Sequence, residues 1–297
     1  MRIVIEHEMF RHRLQDLIGL NYHHLTLESR MKTWIFTLTI LVISLSGCDA
    51  GPNYAQLCKD NPEICQEFHD DSWCKKERIA VGIANLDFKL QANDEKRFNQ
   101  LIAYENYEKC VSHASLIEHI KLKEKKSRRI ENMMLARDKI KEISDQTRNS
   151  EYPRLLYFHW SRYLNKQSLR KFLALEGTEV METSASQFEL ATYYTKRDQD
   201  KTLQLLFHAL ELYKDGNDIN SEIFKTLSSI FATKKETKQA YIWLKVLQIY
   251  NPDDPSIGEN TLVNFAQGYN LNSKFLDKVA ETTLNKIKSS TFEPPRF

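Results

Sequence analysis

The stretch LSSIFATKKETKQAYIWLKVLQIYNP, residues 227–252, decides the fold. Leu227, Ser228 and Phe231 place a large, a small and an aromatic side chain on one helical face. Ala240 follows thirteen positions after Leu227, then come Leu244 and Leu247, with Pro252 twenty-five positions after it. Small residues at 228 and 240 let two antiparallel helices approach closely, aromatic rings fill the space between them, and proline ends the second helix. The pattern recurs at an offset of 37 residues. Leu190, Ala191 and Tyr194 match Leu227, Ser228 and Phe231, while Phe207, Leu210, Leu212 and Tyr213 match Leu244, Leu247, Ile249 and Tyr250. Repeats of this length mean stacked helix pairs. The earlier copy is degenerate: Leu203 stands where Ala is expected, and a loop over 214–220 replaces the proline. A third pair is read from Phe265, Ala266 and Tyr269 followed by Leu276, Val279, Ala280, Leu284 and Ile287, with the irregular spacing of an end cap.

The 227–252 copy resembles a tetratricopeptide repeat. The expected fold is all-α: a right-handed superhelix of tetratricopeptide-like helix pairs over residues 151–290, preceded by a disulfide-stapled cap and long helices over 57–150 and followed by a tail at 291–297. The chain has only eight Gly and seven Pro, and none of either lies between Gly82 and Pro153, as long helices require. Asn61-Pro62 reads as a helix start. Residues 79–90 are ambiguous between strand and helix. Phe98, Leu101, Ile102 and Tyr107 fit one helical face, Leu116, Ile117 and Ile120 continue the spacing, and Ile130, Met133, Met134, Arg137, Ile140 and Ile143 form the next stripe. A boundary falls near 149–153, and a helical pair over 155–164 and 169–175 ends at Gly177. The basic run at 121–129 reads as a solvated helix face, or as a contact with anionic lipid headgroups through Lys125, Lys126, Arg128 and Arg129.

Residues 31–47 have the three-part layout of a signal peptide: a positive start at Met31-Lys32, an apolar run from Trp34 to Leu45, then Ser46-Gly47 before Cys48. The run is short of the ~20 residues a spanning helix needs. Leu45-Ser46-Gly47-Cys48 resembles the lipobox of bacterial lipoproteins, which implies acylation of Cys48, and residues 48–56 then serve as anchor and tether. Residues 1–30 fit no targeting segment and suggest a misassigned start, with Met31 as the first residue. Asp49 after the acceptor cysteine resembles an inner-membrane retention signal. The expected place is the periplasmic face of the inner membrane, with the outer membrane as the alternative.

With Cys48 set aside, Cys58, Cys65, Cys74 and Cys110 remain, an even number that suggests two disulfides in an exported protein. Three pairings are open, of which Cys58–Cys65 with Cys74–Cys110 is preferred. No paired C-x-x-C supports a metal or redox centre. His69-Asp70-Asp71 is the best carboxylate–imidazole cluster and reads as a surface loop. His159 and His208 read as packing residues. No H-E-x-x-H, P-loop, G-x-G-x-x-G or G-x-S-x-G occurs. No enzyme, metal or cofactor is expected. A net charge of +2 gives no reason to expect nucleic acid.

Further segments carry a broader resemblance: residues 56–58, Asn61-Pro62, Cys65, Trp73-Cys74, Cys110, 157–160, 172–177, 190–194, 208–212 and 239–243. Together they resemble a gammaproteobacterial lipoprotein family of unknown function, domain 2989. That resemblance implies a periplasm-facing lipoprotein with a helical-repeat domain, and brings no activity, ligand or catalytic residue. The functional expectation is a lipid-anchored adaptor holding an envelope protein or peptide in a groove formed by Phe188, Thr192, Lys225 and Ser229. The rival is an enzyme acting on peptidoglycan, or the activator of one, which an apolar pocket with a buried, unpaired acid would favour.

Overall fold

The computed structural model describes residues 54–295 apart from 66, 119–121, 123, 215 and 217. The extension, the signal peptide, Cys48, most of the tether and Ile120 lie outside these residues. The described residues form helices joined by turns, with no strand among them. They fall into two units that meet in the chain between Pro62 and Glu63. In the first, α1 (Tyr54–Asp60) already begins inside the segment read as tether, and Gln56 donates to Asp60 one turn on. α2 (Pro62–Cys65) starts at the proline, as the Asn-Pro pair predicts.

The second unit opens with three long helices, α3 (Lys75–Leu90), α4 (Asp94–Ser115) and α5 (Glu124–Gln146). Residues 79–90 are therefore helical. α4 packs against both α3 and α5. Its start is fixed by the Asn93 side chain, which accepts from the Lys96 backbone N–H at 2.8 Å. Val81, Phe98, Leu101, Tyr104, Tyr107, Val111, Ala136 and Ile143 fill the core of this layer. Cys74 is bonded to Cys110, so one staple joins the start of α3 to the last turns of α4. Cys58 and Cys65 are disulfide-bonded as well.

Of the stripe expected on α5, Ile143 is buried and Met133 and Ile140 pack against the core, but the other members do not. Arg129, Asn132, Ala136 and Ile143 face inward, while Ile130 and Met134 are exposed and Arg137 reaches outward to Glu108. Arg129 is also no solvated charge: it is 3% exposed, paired with Asp71, and donates to the Ala114 carbonyl at 2.8 Å. The buried face follows Ala136 and the two polar groups that have partners inside, which hydropathy alone passes over. α4 ends at Ser115, and Leu116 stands 76% exposed beyond it.

The rest of the unit is built from helix pairs. α6 (Pro153–Tyr163) packs with α7 (Lys166–Ala174), α8 (Ser184–Tyr194) with α9 (Gln199–Glu211), and α10 (Glu222–Thr233) with α11 (Thr237–Tyr250). α6 begins at Pro153, and Gly177 at φ +78° turns the chain after the first pair. At the α10–α11 crossing the Ser228 hydroxyl donates to the Ala240 carbonyl at 2.9 Å, both residues being buried. The small residues thus do what the spacing requires. In place of the missing proline, the 214–220 segment is fixed by the Ile219 N–H donating to the Tyr250 hydroxyl at 2.8 Å. The expected third pair departs from the pattern: α12 (Thr261–Gly268) is short, and α13 (Ser273–Lys288) packs chiefly on α11. The segment read as a tail contributes Phe292, buried against Phe207 and Trp243.

Candidate functional site

Two apolar clusters, one in the long-helix layer and one running from Ala191 to Phe292, are bridged by a smaller one of Leu156, Phe172, Met181 and Leu190. Beside this bridge a cleft of about 950 Å3 opens between α4, α6, the first turns of α8 and the segment after α9. Phe98, Tyr157, Phe158 and Phe188 give it aromatic walls. Its polar centre is an ion pair. Arg154 Nε donates to Glu189 Oε1 at 2.9 Å, and the guanidinium lies 4.0 Å from the centre of the Phe98 ring.

Glu189 is buried, and its other oxygen, Oε2, has no hydrogen-bond partner. Burial raises its carboxyl above the ordinary range, and the attraction of Arg154 only partly offsets that. An acceptor left unsatisfied in an apolar wall is expensive, so it favours a ligand or water that brings a donor. Arg154 keeps part of its side chain exposed. The cleft thus offers ring faces, cationic donors and, at its centre, the Glu189 carboxylate, with Glu182 and Asp218 also in its lining.

Of the four groove residues read from the sequence, only Phe188 lines this cleft. It is half-buried and leans on the second apolar cluster. Thr192 is exposed one turn further along α8, and its hydroxyl donates to the Phe188 carbonyl at 2.9 Å. Lys225 is held by Glu222 at 2.7 Å and by Asp254 at 2.9 Å. Asp254 is buried and also accepts from the Ser256 N–H and hydroxyl. The Ser256 bonds and Lys225 hold its carboxyl down to about 2. Lys225 is therefore part of the turn after α11. Ser229 lies exposed one turn on.

Sequence reasoning missed Arg154 and Glu189. The only trace of Glu189 in the sequence is an acid flanked by Phe188 and Leu190 on a helix that buries several faces. Elsewhere, His159 is the packing residue expected: it is buried, lies 3.2 Å from the Thr147 hydroxyl, and burial lowers its pKa. His208 is different. It sits at the surface between Glu182, 2.7 Å from Nε2, and Glu211, 3.0 Å from Nδ1. In the His69 loop, Asp70 pairs with Arg78 and His69 with Glu131, so its three groups face separate partners. Glu77 lies with Cys74 and Cys110 in a cluster of metal-ligand geometry, but the two sulfurs are bonded to each other and offer no thiolate.

No curated protein and no solved structure matches the chain. The family described as "Protein of unknown function (DUF2989)" matches residues 45–245, and it is to this family that the chain belongs.

Proposed function

We propose that the protein is a lipid-anchored adaptor on the periplasmic face of the inner membrane. It receives a segment of an envelope protein in the cleft of Phe188, Arg154 and Glu189. The observation that carries this reading is the pairing of half-buried aromatic side chains, Tyr157 and Phe188, with an orphaned buried acceptor in one cleft. A partner segment would seat an apolar side chain against Phe188 and Tyr157 and bring an N–H or ammonium donor to Glu189. A few buried anchors of this kind dominate the affinity of small interfaces. The anchor rests on the lipobox at 45–48, and the family match begins at Leu45. Among the described residues no helix is long and apolar enough to cross a membrane, so attachment in this reading falls to Cys48.

Two experiments test the two halves. Radiolabelled palmitate should appear on the wild type and be absent from Cys48→Ser. For the cleft, partners are captured by crosslinking in intact envelopes. Phe188→Ala should lose at least one partner that wild type captures, while Thr192→Ala should lose none. Identical partner sets for wild type and Phe188→Ala would remove the cleft from the proposal.

The raised carboxyl of Glu189 also favours a second reading, in which the cleft acts on peptidoglycan with Glu189 as the acid. Arg154 weighs against it, because the bond to Oε1 stabilises the ionised form. Hydrolysis of purified peptidoglycan by wild type, lost in Glu189→Gln, would establish that reading. Absence of any product leaves the adaptor.

A further inference from the structure

One end of the long-helix layer carries an arrangement that neither the fold nor the cleft uses. The Cys74–Cys110 bridge and the bond from Arg129 to the Ala114 carbonyl bring together the start of α3, the end of α4 and the first turns of α5. Two large apolar side chains stand out from this end: Trp73, 62% exposed, and Leu116, 76% exposed. Trp73 lies over the Arg129 guanidinium, 5.8 Å from its ring centre, and its backbone N–H donates to Asp71 at 3.0 Å. The indole is thus held outward by a fixed base. The segments brought together here, the start of α3 and the first turns of α5 among them, also hold Lys75, Lys76, Lys125 and Arg128, none of which forms an ion pair with a carboxylate among the described residues, and Lys126, which pairs with Glu118. The other acids nearby in the chain are Asp70, paired with Arg78, Glu131, paired with His69, and Glu77 and Glu124.

We propose that this end of the protein seats on an anionic lipid bilayer, with Trp73 and Leu116 entering the headgroup region and the four free cations facing lipid phosphates. Tryptophan favours the membrane–water interface because its ring is apolar and its N–H polar. Each Lys or Arg near an anionic surface adds to the attraction. Charge selects the occupant: an apolar pair on segments whose cations without ion pairs outnumber their acids without ion pairs complements an anionic headgroup layer, and it opposes a second copy presenting the same cations. The surface is independent of the cleft. It also differs from a lipid anchor, which tethers a protein without fixing which face meets the bilayer. Docking would fix the orientation.

The test uses the full chain, purified from membranes, with a nitroxide at Leu116→Cys or, as a control on α12, at the exposed Val263→Cys. Each is mixed with vesicles of phosphatidylcholine alone or with phosphatidylglycerol added. On anionic vesicles the label at 116 should become severalfold less accessible to a water-soluble nickel reagent and more accessible to oxygen, while the label at 263 stays unchanged. Charge reversal at Lys75, Lys76, Lys125 and Arg128 together should abolish the difference. A label at 116 as open to nickel as the one at 263 would overturn the proposal. So would equal shielding on uncharged vesicles, or shielding without vesicles accompanied by spin–spin broadening, the sign of a second copy. Flotation separates this idea from the anchor. Protein that floats on both vesicle types with 116 open has an anchor and no docked face; protein that floats only on anionic vesicles with 116 shielded has the docked face and no anchor.

Discussion

At Arg129 the guanidinium meets the Asp71 carboxylate, the Ala114 carbonyl and the Trp73 ring. Burial pushes the Asp71 carboxyl up, but the hydrogen bonds from Arg129 and the Trp73 N–H, with the charges of Arg129 and Lys125, hold it below its usual value. Arg129→Met strands that carboxylate and should cost about 3 kcal/mol in urea unfolding, whereas Arg128→Met should change stability by less than about 0.5 kcal/mol. Because its folded pKa is depressed, Asp71 contributes stability that is present above its unfolded pKa and lost as pH falls through the folded one. His208 runs the other way. Burial lowers its pKa, yet Glu211 and Glu182 outweigh that and raise it above 6.5. Its stabilising contribution is complete below the unfolded value and disappears as pH rises through the folded value. The melting-temperature deficit of His208→Gln should therefore be larger at pH 5.5 than at pH 9; an equal deficit at both would show that the two glutamates do not hold the charge. Neither behaviour was legible in the sequence. Arg129 stands in a run of basic residues that look alike, and the partner that buries it lies 58 positions away. Glu182 is 26 positions from His208.

At the scale of elements, the α10–α11 crossing depends on what is missing from two side chains. Ser228 and Ala240 leave room for the hydroxyl–carbonyl contact at 2.9 Å. Ala240→Val adds two methyl groups where Ala240 is fully buried, and should cost about 1–3 kcal/mol through overpacking, measured by denaturant unfolding. Valine at Ala232, an exposed position on α10, should be far milder. This element pair was legible because its constraint is local and periodic: a small residue is demanded at a fixed distance from a large one. The same logic failed at the last pair. Phe265 and Ala266 have the right character, but α12 is eight residues long and α13 sixteen, so α13 reaches past it to α11. Residue type predicted the face each helix buries; helix length decided which neighbour received it. On α5 only part of the stripe was misread: Met133, Ile140 and Ile143 do face the core, but hydropathy also counts Ile130 and Met134 as core, while Arg129 and Asn132 are buried by satisfied hydrogen bonds instead.

For the whole of the second unit, cohesion comes from one covalent link and three adjoining apolar clusters. The Cys74–Cys110 bridge closes a loop of 36 residues. Replacing both with serine should lower stability by about 4 kcal/mol by the loop-closure argument, with oxidised wild type as the reference in urea unfolding. The helical class and the long helices between Gly82 and Pro153 were within reach of the sequence, since they follow from glycine and proline placement; the even cysteine count pointed to two disulfides and left three pairings open, of which the preferred one includes this bridge. The cleft was not. Its walls come from helices far apart in the chain, and its centre joins Arg154 to an acid 35 positions away. Stacking order, which no local pattern encodes, brings them together.

The position of the bridge also bears on the order in which the chain can mature. Both sulfurs belong to its first 110 residues, and the helices they join are neighbours in sequence as well as in space. Oxidation therefore needs nothing from the helix pairs that follow. An oxidant acting while the remainder is still being synthesised or delivered can lock the α3–α4 hairpin first, and the later helix pairs then assemble one after another against a foundation that is already closed.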